Sequence, residues 1–148
     1  MKKKHLLITS FAAILILIST MQSSYAQSNS NHLYYVNTQY MVSGMDSIAR
    51  AQRDAMLKEY FEKVDMKNEY IIHEWNMQHY FSEDSREFIT IFEYATWADI
   101  DKAGDRSTEL EKMAWPDTQK RNEFLKKLNG YFTSHKDAVY HSLPKMLK

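Results

Sequence analysis

The chain has 148 residues, no cysteine, and 19 basic and 19 acidic residues, so its formal net charge at pH 7 is zero. The lack of cysteine excludes disulfides and a lipid-modified N-terminal cysteine. A neutral balance gives no general attraction to phosphate backbones, so we expect no nucleic acid partner.

The first 26 residues have the plan of a secretory signal peptide. Three lysines follow Met1, residues 6–18 are almost continuously apolar, and the small residues Ser24 and Ala26 flank Tyr25. This pattern predicts cleavage after Ala26. A retained anchor is the alternative, but a membrane span needs about 20 apolar residues, and this run has 13. We therefore expect a secreted or periplasmic protein with no stable membrane anchor.

Cleavage leaves residues 27–148. These 122 residues carry a net charge of −3, because the removed segment holds three lysines and no acidic residue. Residues 27–32 are polar and predict a flexible leader. Residues 33–148 then form one domain, a length that supports a single hydrophobic core.

The domain opens with a predicted strand and helix. Residues 33–42 are rich in aromatic and β-branched side chains and predict the first strand. Ser43 and Asp46 form a capping pattern in which the serine hydroxyl accepts a hydrogen bond from a free backbone amide. Apolar residues then recur at three- and four-residue steps as far as Val64, which predicts an amphipathic helix.

Two strand-like runs follow, joined by five polar residues centred on Asp84. A hairpin with that centre places Trp75 opposite Glu93 and puts His73 diagonal to Glu93. Odd-numbered residues of both runs then share one face, which we expect the helices to cover. The two runs are residues 70–81 and 88–96.

The remaining elements are two helices and a strand. Pro116 predicts the boundary between the helices, and a break is predicted near Gly104. Asp117 is positioned to cap the third helix, and residues 129–130 are predicted to close it in a left-handed turn. Residues 138–143 predict the last strand.

This order of elements is the α+β, ferredoxin-like split βαβ plan, with an antiparallel sheet covered by helices on one face. We expect aromatic side chains on the uncovered face, and such a patch rarely faces water, so we predict a homodimer. The run from Glu93 to Ala103, EYATWADIDKA, resembles the strand-to-helix junction of antibiotic-biosynthesis-monooxygenase-like domains. The resemblance extends over about residues 33–143. It implies a dimeric α/β barrel that binds a small aromatic or polyketide-like molecule, or haem, between sheet and helices.

The resemblance also bears on cofactors. Its haem-degrading branch uses an Asn on the first strand, a Trp near the sheet edge and a haem-ligating His after the third strand. Asn37 matches the first of these, and Trp75 or Trp97 the second. No histidine lies between His79 and His135, so the axial ligand is missing. We therefore expect no haem and no other cofactor.

His73, Trp75 and Glu93 form the candidate site. A carboxylate on a neighbouring strand can orient an imidazole as a general base, so His73 and Glu93 are the predicted catalytic pair. Trp75 would stack on a ligand, and Asn37 would add a polar group. The alternative is that His73 and Glu93 simply satisfy each other in packing. The histidine spacing fits no metal motif, and we expect no metal.

Two functions stay open on these grounds. One is an exported small-molecule-binding homodimer, with cofactor-independent monooxygenase-like or acid–base chemistry on a small, partly apolar substrate. The other is a non-catalytic interaction or structural module of the envelope. A pocket too small for about 300 Å³ would favour the second.

Overall fold

The computed structural model describes residues 31–80 and 84–143, so the predicted signal peptide and its cleavage site lie outside the described residues. Four strands and three α-helices occur in these ranges, and a short 3-10 turn at Asp65–Lys67 follows the first helix. The elements are β1 (Leu33–Met41), α1 (Ser47–Lys63), β2 (His73–Gln78), β3 (Glu87–Tyr94), α2 (Trp97–Ala114), α3 (Thr118–Asn129) and β4 (Phe132–His141).

The four strands form one antiparallel sheet in the order β2–β3–β1–β4. This is the predicted ferredoxin-like arrangement, in which the hairpin strand β3 lies between the two strands that α1 connects. Among the described helices, none has the length and apolar character needed to cross a membrane.

The helix ends follow local signals, with two differences from prediction. Asp46, rather than Ser43, caps α1, because its side chain accepts a hydrogen bond from the amide of Ala49 at 2.7 Å. Asp117 caps α3 as predicted. Gly130 follows α3 with a φ of −65°, so the predicted left-handed turn is wrong. The chain stays in the right-handed region and enters β4 at once.

α2 and β4 are longer than predicted. α2 passes through Gly104 without a break, because a glycine costs a helix only about 1 kcal/mol and the buried Ala103 and Leu110 hold the helix on both sides of it. The helix ends at Ala114, just before Pro116. β4 begins at Phe132 instead of residue 138, because pairing with β1 extends the strand through polar residues.

The pairing of β2 with β3 differs from prediction by two residues. His73 lies directly opposite Glu93, and Trp75 lies opposite Ile91. The loop is therefore centred one residue earlier than Asp84. A shift of two residues keeps every side chain on its face, so the predicted grouping of odd-numbered residues holds.

The expectation that helices cover the odd-numbered face is wrong. Glu74 and Phe92, which are even-numbered, lie under the helices, whereas His73, Trp75 and Glu93 lie on the opposite face of the sheet. Alternation along a strand defines two faces, but the handedness of the strand–helix–strand crossover decides which one is covered. We call the uncovered surface the helix-free face.

The core occupies the covered face near the start of β1. Leu33, Tyr94 and Ala103 form its buried centre. Partly buried apolar side chains pack against them: Tyr35, Tyr70, Ile71, Phe92, Ile100 and Val139. Several residues of this cluster, among them Tyr35, Phe92 and Tyr94, also line the space between the sheet and the helices.

Candidate functional site

A cavity of about 960 Å³ lies between the covered face of the sheet and the helices. Side chains from all four strands and all three helices line it. The volume is well above the roughly 300 Å³ that a small-molecule site needs. Its aromatic walls consist of Tyr35, Tyr60, Phe61, Phe88, Phe92, Tyr94 and Phe132.

A row of polar side chains crosses the sheet in the middle of the covered face. Asn76, Thr90, Asn37 and Asp137 occupy paired positions on the four strands. The Thr90 hydroxyl donates to Asn76 Oδ1 at 2.8 Å, and Asn37 Nδ2 donates to Asp137 Oδ1 at 2.6 Å. A sheet face packed beneath helices ordinarily carries apolar side chains. The first three of these residues line the cavity and bring polar atoms to its surface.

Four acidic side chains line the same cavity; Asp54 lies on α1, and the other three come from other segments. Asp65 lies in the turn after α1, Glu74 on β2 and Glu111 on α2. Tyr60 donates to Glu111 Oε1 at 2.8 Å, and Asn76 donates to Glu74 Oε1 at 2.5 Å. The second oxygen of Glu74 is buried and has no hydrogen-bond partner.

Burial shifts the pKa of two of these carboxyl groups, Asp65 and Glu74. Burial, together with the negative charges of Glu74 and Glu111, raises the pKa of Asp65 to about 8. Burial also raises the pKa of Glu74, and it raises the pKa of Tyr94 to about 12. Asp65 therefore keeps its proton at neutral pH and can donate it, which is the property of a general acid.

A second cluster lies on the helix-free face and is centred on Glu93, which is 7% exposed. Its Oε2 lies 2.6 Å from His73 Nδ1 and its Oε1 lies 2.5 Å from His32 Nδ1. The Tyr34 hydroxyl donates to Oε1 at 3.2 Å. Burial acts to raise the pKa of Glu93, but the hydrogen bonds from His32, His73 and Tyr34 outweigh it and hold that pKa below its usual value.

The structure separates the four predicted site residues. Trp75 lies beside His73, with ring centroids 5.6 Å apart, so His73, Trp75 and Glu93 are neighbours. All three lie outside the cavity, whereas Asn37 lines it. The reason is the register of β1, which pairs Asn37 with Thr90 and so puts this odd-numbered residue on the same face as the even-numbered residues of β3.

Several site residues were missed from the sequence. Glu74 and Asn76 alternate with larger side chains on β2, and a polar residue at every second position is ordinarily assigned to solvent. His32 was assigned to the leader, but it contacts Glu93, and its carbonyl oxygen accepts a hydrogen bond from the amide of Ser142 at 3.1 Å. In residues 31–80 and 84–143, no group of three or more His, Cys, Asp or Glu is arranged to hold a metal ion.

The sequence matches no protein-family model and no curated protein. Solved structures share its fold. A putative antibiotic biosynthesis monooxygenase from Caulobacter crescentus is similar with a TM-score of 0.52 and 8% identity, over 77% of this chain and 92% of that one. A NIPSNAP family protein of unknown function from Agrobacterium tumefaciens is similar with a TM-score of 0.51 and 13% identity, over 78% and 91% of the two chains.

The chain has the ferredoxin-like fold of antibiotic-biosynthesis-monooxygenase-like and NIPSNAP proteins. This confirms the predicted fold class and the resemblance at the level of the fold. Identities of 8% and 13% establish the fold alone, because one fold carries many functions. Function has to be argued from the cavity and the helix-free face.

Proposed function

We propose that the protein is an exported homodimer that binds a small, partly aromatic molecule in the cavity between the sheet and the helices. The cavity carries this proposal. Its volume of about 960 Å³ and its aromatic walls match the size and lining of small-molecule sites, and its polar row supplies the few oriented hydrogen bonds that such sites use. Export rests on the predicted signal peptide.

Cofactor-independent acid–base or monooxygenase-like chemistry is the reaction type we assign to the cavity. Asp65 is the proton donor in this proposal, since its raised pKa leaves it protonated near neutral pH. Asn37 and Thr90 hydrogen-bond the ligand from the floor. The similar fold of a putative antibiotic biosynthesis monooxygenase supports this class of chemistry.

We assign the helix-free face to contact with a second copy. Trp75, Met77 and Tyr140 are exposed on it, and the partly buried Ile89 and Ile91 lie beside them. Apolar patches of this kind mark interaction surfaces. A second copy placed there would cover these side chains and enclose Glu93 with its histidine partners.

A non-catalytic envelope module is the second candidate, and the Glu93 cluster favours it. Both carboxylate oxygens of Glu93 already have partners in His32, His73 and Tyr34. A carboxylate satisfied in this way holds its neighbours in place, which is the packing role considered for His73 and Glu93. In this candidate, the cavity carries no reaction, and the helix-free face binds a protein partner.

Native mass spectrometry of the mature protein purified from its own host tests the proposal, because it reports subunit number and retained ligand together. We expect a dimer that carries a small molecule. Leu57→Trp, which fills the cavity from α1, should abolish retention. Ile48→Trp on the same helix is the control, since Ile48 is 68% exposed and does not line the cavity. A ligand-free monomer, or equal retention by both variants, contradicts the proposal.

A further inference from the structure

The charge in the cavity is strongly one-sided. Among the described residues that line it, four are acidic and Lys58 is the basic one. Lys58 forms an ion pair with the exposed Glu62, and the acidic Asp54 pairs with Arg53. The acidic lining residues that pair with no basic side chain of the described chain are Asp65, Glu74 and Glu111.

An unsatisfied atom marks where a ligand would be bound. Glu74 Oε2 is buried in the cavity wall and accepts no hydrogen bond, although Asn76 satisfies the other oxygen of the same carboxylate. A buried carboxylate oxygen without a donor is costly, and native proteins ordinarily supply one. A donor on a bound molecule would fill this role.

An organic cation fits the cavity better than a metal ion does. The three carboxylates come from three separate segments, and no metal-holding group of side chains occurs in the described ranges. The aromatic walls also favour a ligand that contains an aromatic ring. Tyr35 and Phe92, with ring centroids 6.3 Å apart, and Phe88 and Phe132, with centroids 6.0 Å apart, offer faces to an aromatic body and to a cation.

We propose that the cavity selects an aromatic amine, whose protonated ammonium group is bound by Asp65, Glu74 and Glu111 while its ring packs between the aromatic walls. This inference rests on the proposed function, because it names the ligand class of the same cavity. The ammonium group donates to Glu74 Oε2 and to an oxygen of Asp65, which accepts as a carbonyl oxygen while Asp65 is protonated and as a carboxylate oxygen once Asp65 is ionised. Glu111 already accepts from Tyr60 and contributes mainly its negative charge.

Three indole probes with the same ring and a two-carbon chain test the selectivity. Tryptamine is a cation, tryptophol is neutral and indole-3-propionate is an anion. In calorimetric titrations of the mature protein at pH 8.5, we expect tryptamine to bind about tenfold more tightly than tryptophol, and indole-3-propionate to bind most weakly.

Variants that each remove one negative charge test whether this order of affinities depends on the carboxylates. Glu74→Gln and Asp65→Asn keep the side-chain shape and should reduce the preference of tryptamine over tryptophol to less than about threefold. Glu109→Gln is the matched control, because Glu109 lies on α2 like Glu111 but is exposed and pairs with Arg106. It should leave the order and the ratios unchanged.

The outcomes separate this inference from the proposed function. Equal binding of tryptamine and tryptophol, or tighter binding of indole-3-propionate, overturns cation selectivity and leaves the cavity as a binding site. A preference that survives in both Glu74→Gln and Asp65→Asn also overturns it. The proposed function fails together with this inference under two joint results. None of the three probes binds the unsubstituted protein, and Leu57→Trp raises the stability of the protein without changing the retention of any small molecule.

Discussion

His73 Nδ1 lies 2.6 Å from Glu93 Oε2, on the face of the sheet that no described helix covers. The two residues are directly opposite on β2 and β3. Because the cavity lies on the other face, this pair cannot act on a molecule bound there. It organises the surface that we assign to a second copy, where the negative charge of Glu93 holds two imidazoles and a phenol in place.

Glu93→Gln should destabilise the fold by about 1–3 kcal/mol, because it removes a buried charge that several donors satisfy. The pKa of Glu93 is lowered in the folded state, so the carboxylate adds stability above its usual pKa and loses it as the pH falls through the folded value. The difference in stability between the variant and the parent protein should therefore begin to shrink only as the pH falls below about 4.5, the usual pKa of the group.

Urea denaturation across pH 3–7 measures this effect. Glu87→Gln is the control, since Glu87 starts the same strand and makes no side-chain hydrogen bond with a described residue. Glu93→Gln unfolding at the same urea concentration as the parent protein at pH 7 would show that the cluster contributes nothing to folding.

The order of strands and helices could be predicted from the sequence because each element is determined by signals in its own short segment. Alternating apolar residues, Asp117 as a cap and Pro116 as a stop each act within a few residues, and each acted in the expected place. The association of His73 with Glu93 was also within reach, because a hairpin with a short polar loop allows few registers.

The location of the candidate site could not be predicted in the same way. Glu74 and Asn76 look like solvent-facing strand residues in the sequence, but they lie on the face of the sheet that the three helices cover. The crossover connections between strands and helices decide which face is covered. Asn37 was separated from the other predicted residues by the register of β1 against β3, which pairs it with Thr90, 53 residues farther along the chain. Sequence periodicity contains neither relationship.

Trp75→Glu should convert the proposed dimer into a monomer. Trp75 is 42% exposed on the helix-free face, and a carboxylate there would be buried against the partner without a counter-charge. Trp97→Glu is the matched control, because Trp97 is 64% exposed but begins α2, away from that face. Light scattering after size-exclusion chromatography gives the mass of each variant. If Trp75→Glu keeps the same mass in solution as Trp97→Glu, the subunit interface does not lie on the helix-free face.

Asp65→Asn should stabilise the ligand-free protein above pH 7. The pKa of Asp65 is raised to about 8, so the folded protein binds more protons than the unfolded chain between about pH 4 and pH 8. The free energy of unfolding therefore falls as the pH rises through this window, by at most about 1.4 kcal/mol per pH unit. Above the pKa that Asp65 has in the folded protein, the ionised carboxylate destabilises the fold to its full extent.

Denaturation curves at pH 5, 7 and 9 measure this dependence. The Asn variant should have a flatter pH dependence than the parent protein and its largest advantage at pH 9. Asp105→Asn is the control, because Asp105 is exposed on α2 and lies outside the cavity. A variant whose stability parallels that of the parent protein at all three pH values would show that Asp65 is not desolvated.

Gly104→Ala should raise the free energy of unfolding by about 0.5–1 kcal/mol, because alanine loses less backbone entropy than glycine in a helix interior. The position allows the substitution, since an added Cβ meets no atom within 4 Å. Gly130→Ala is the control: its Cβ would lie 3.3 Å from the carbonyl oxygens of Lys126 and Lys127, so it should gain less. Thermal and urea unfolding compare the two. Loss of stability in Gly104→Ala would mean that α2 needs the flexibility of glycine where it borders the cavity.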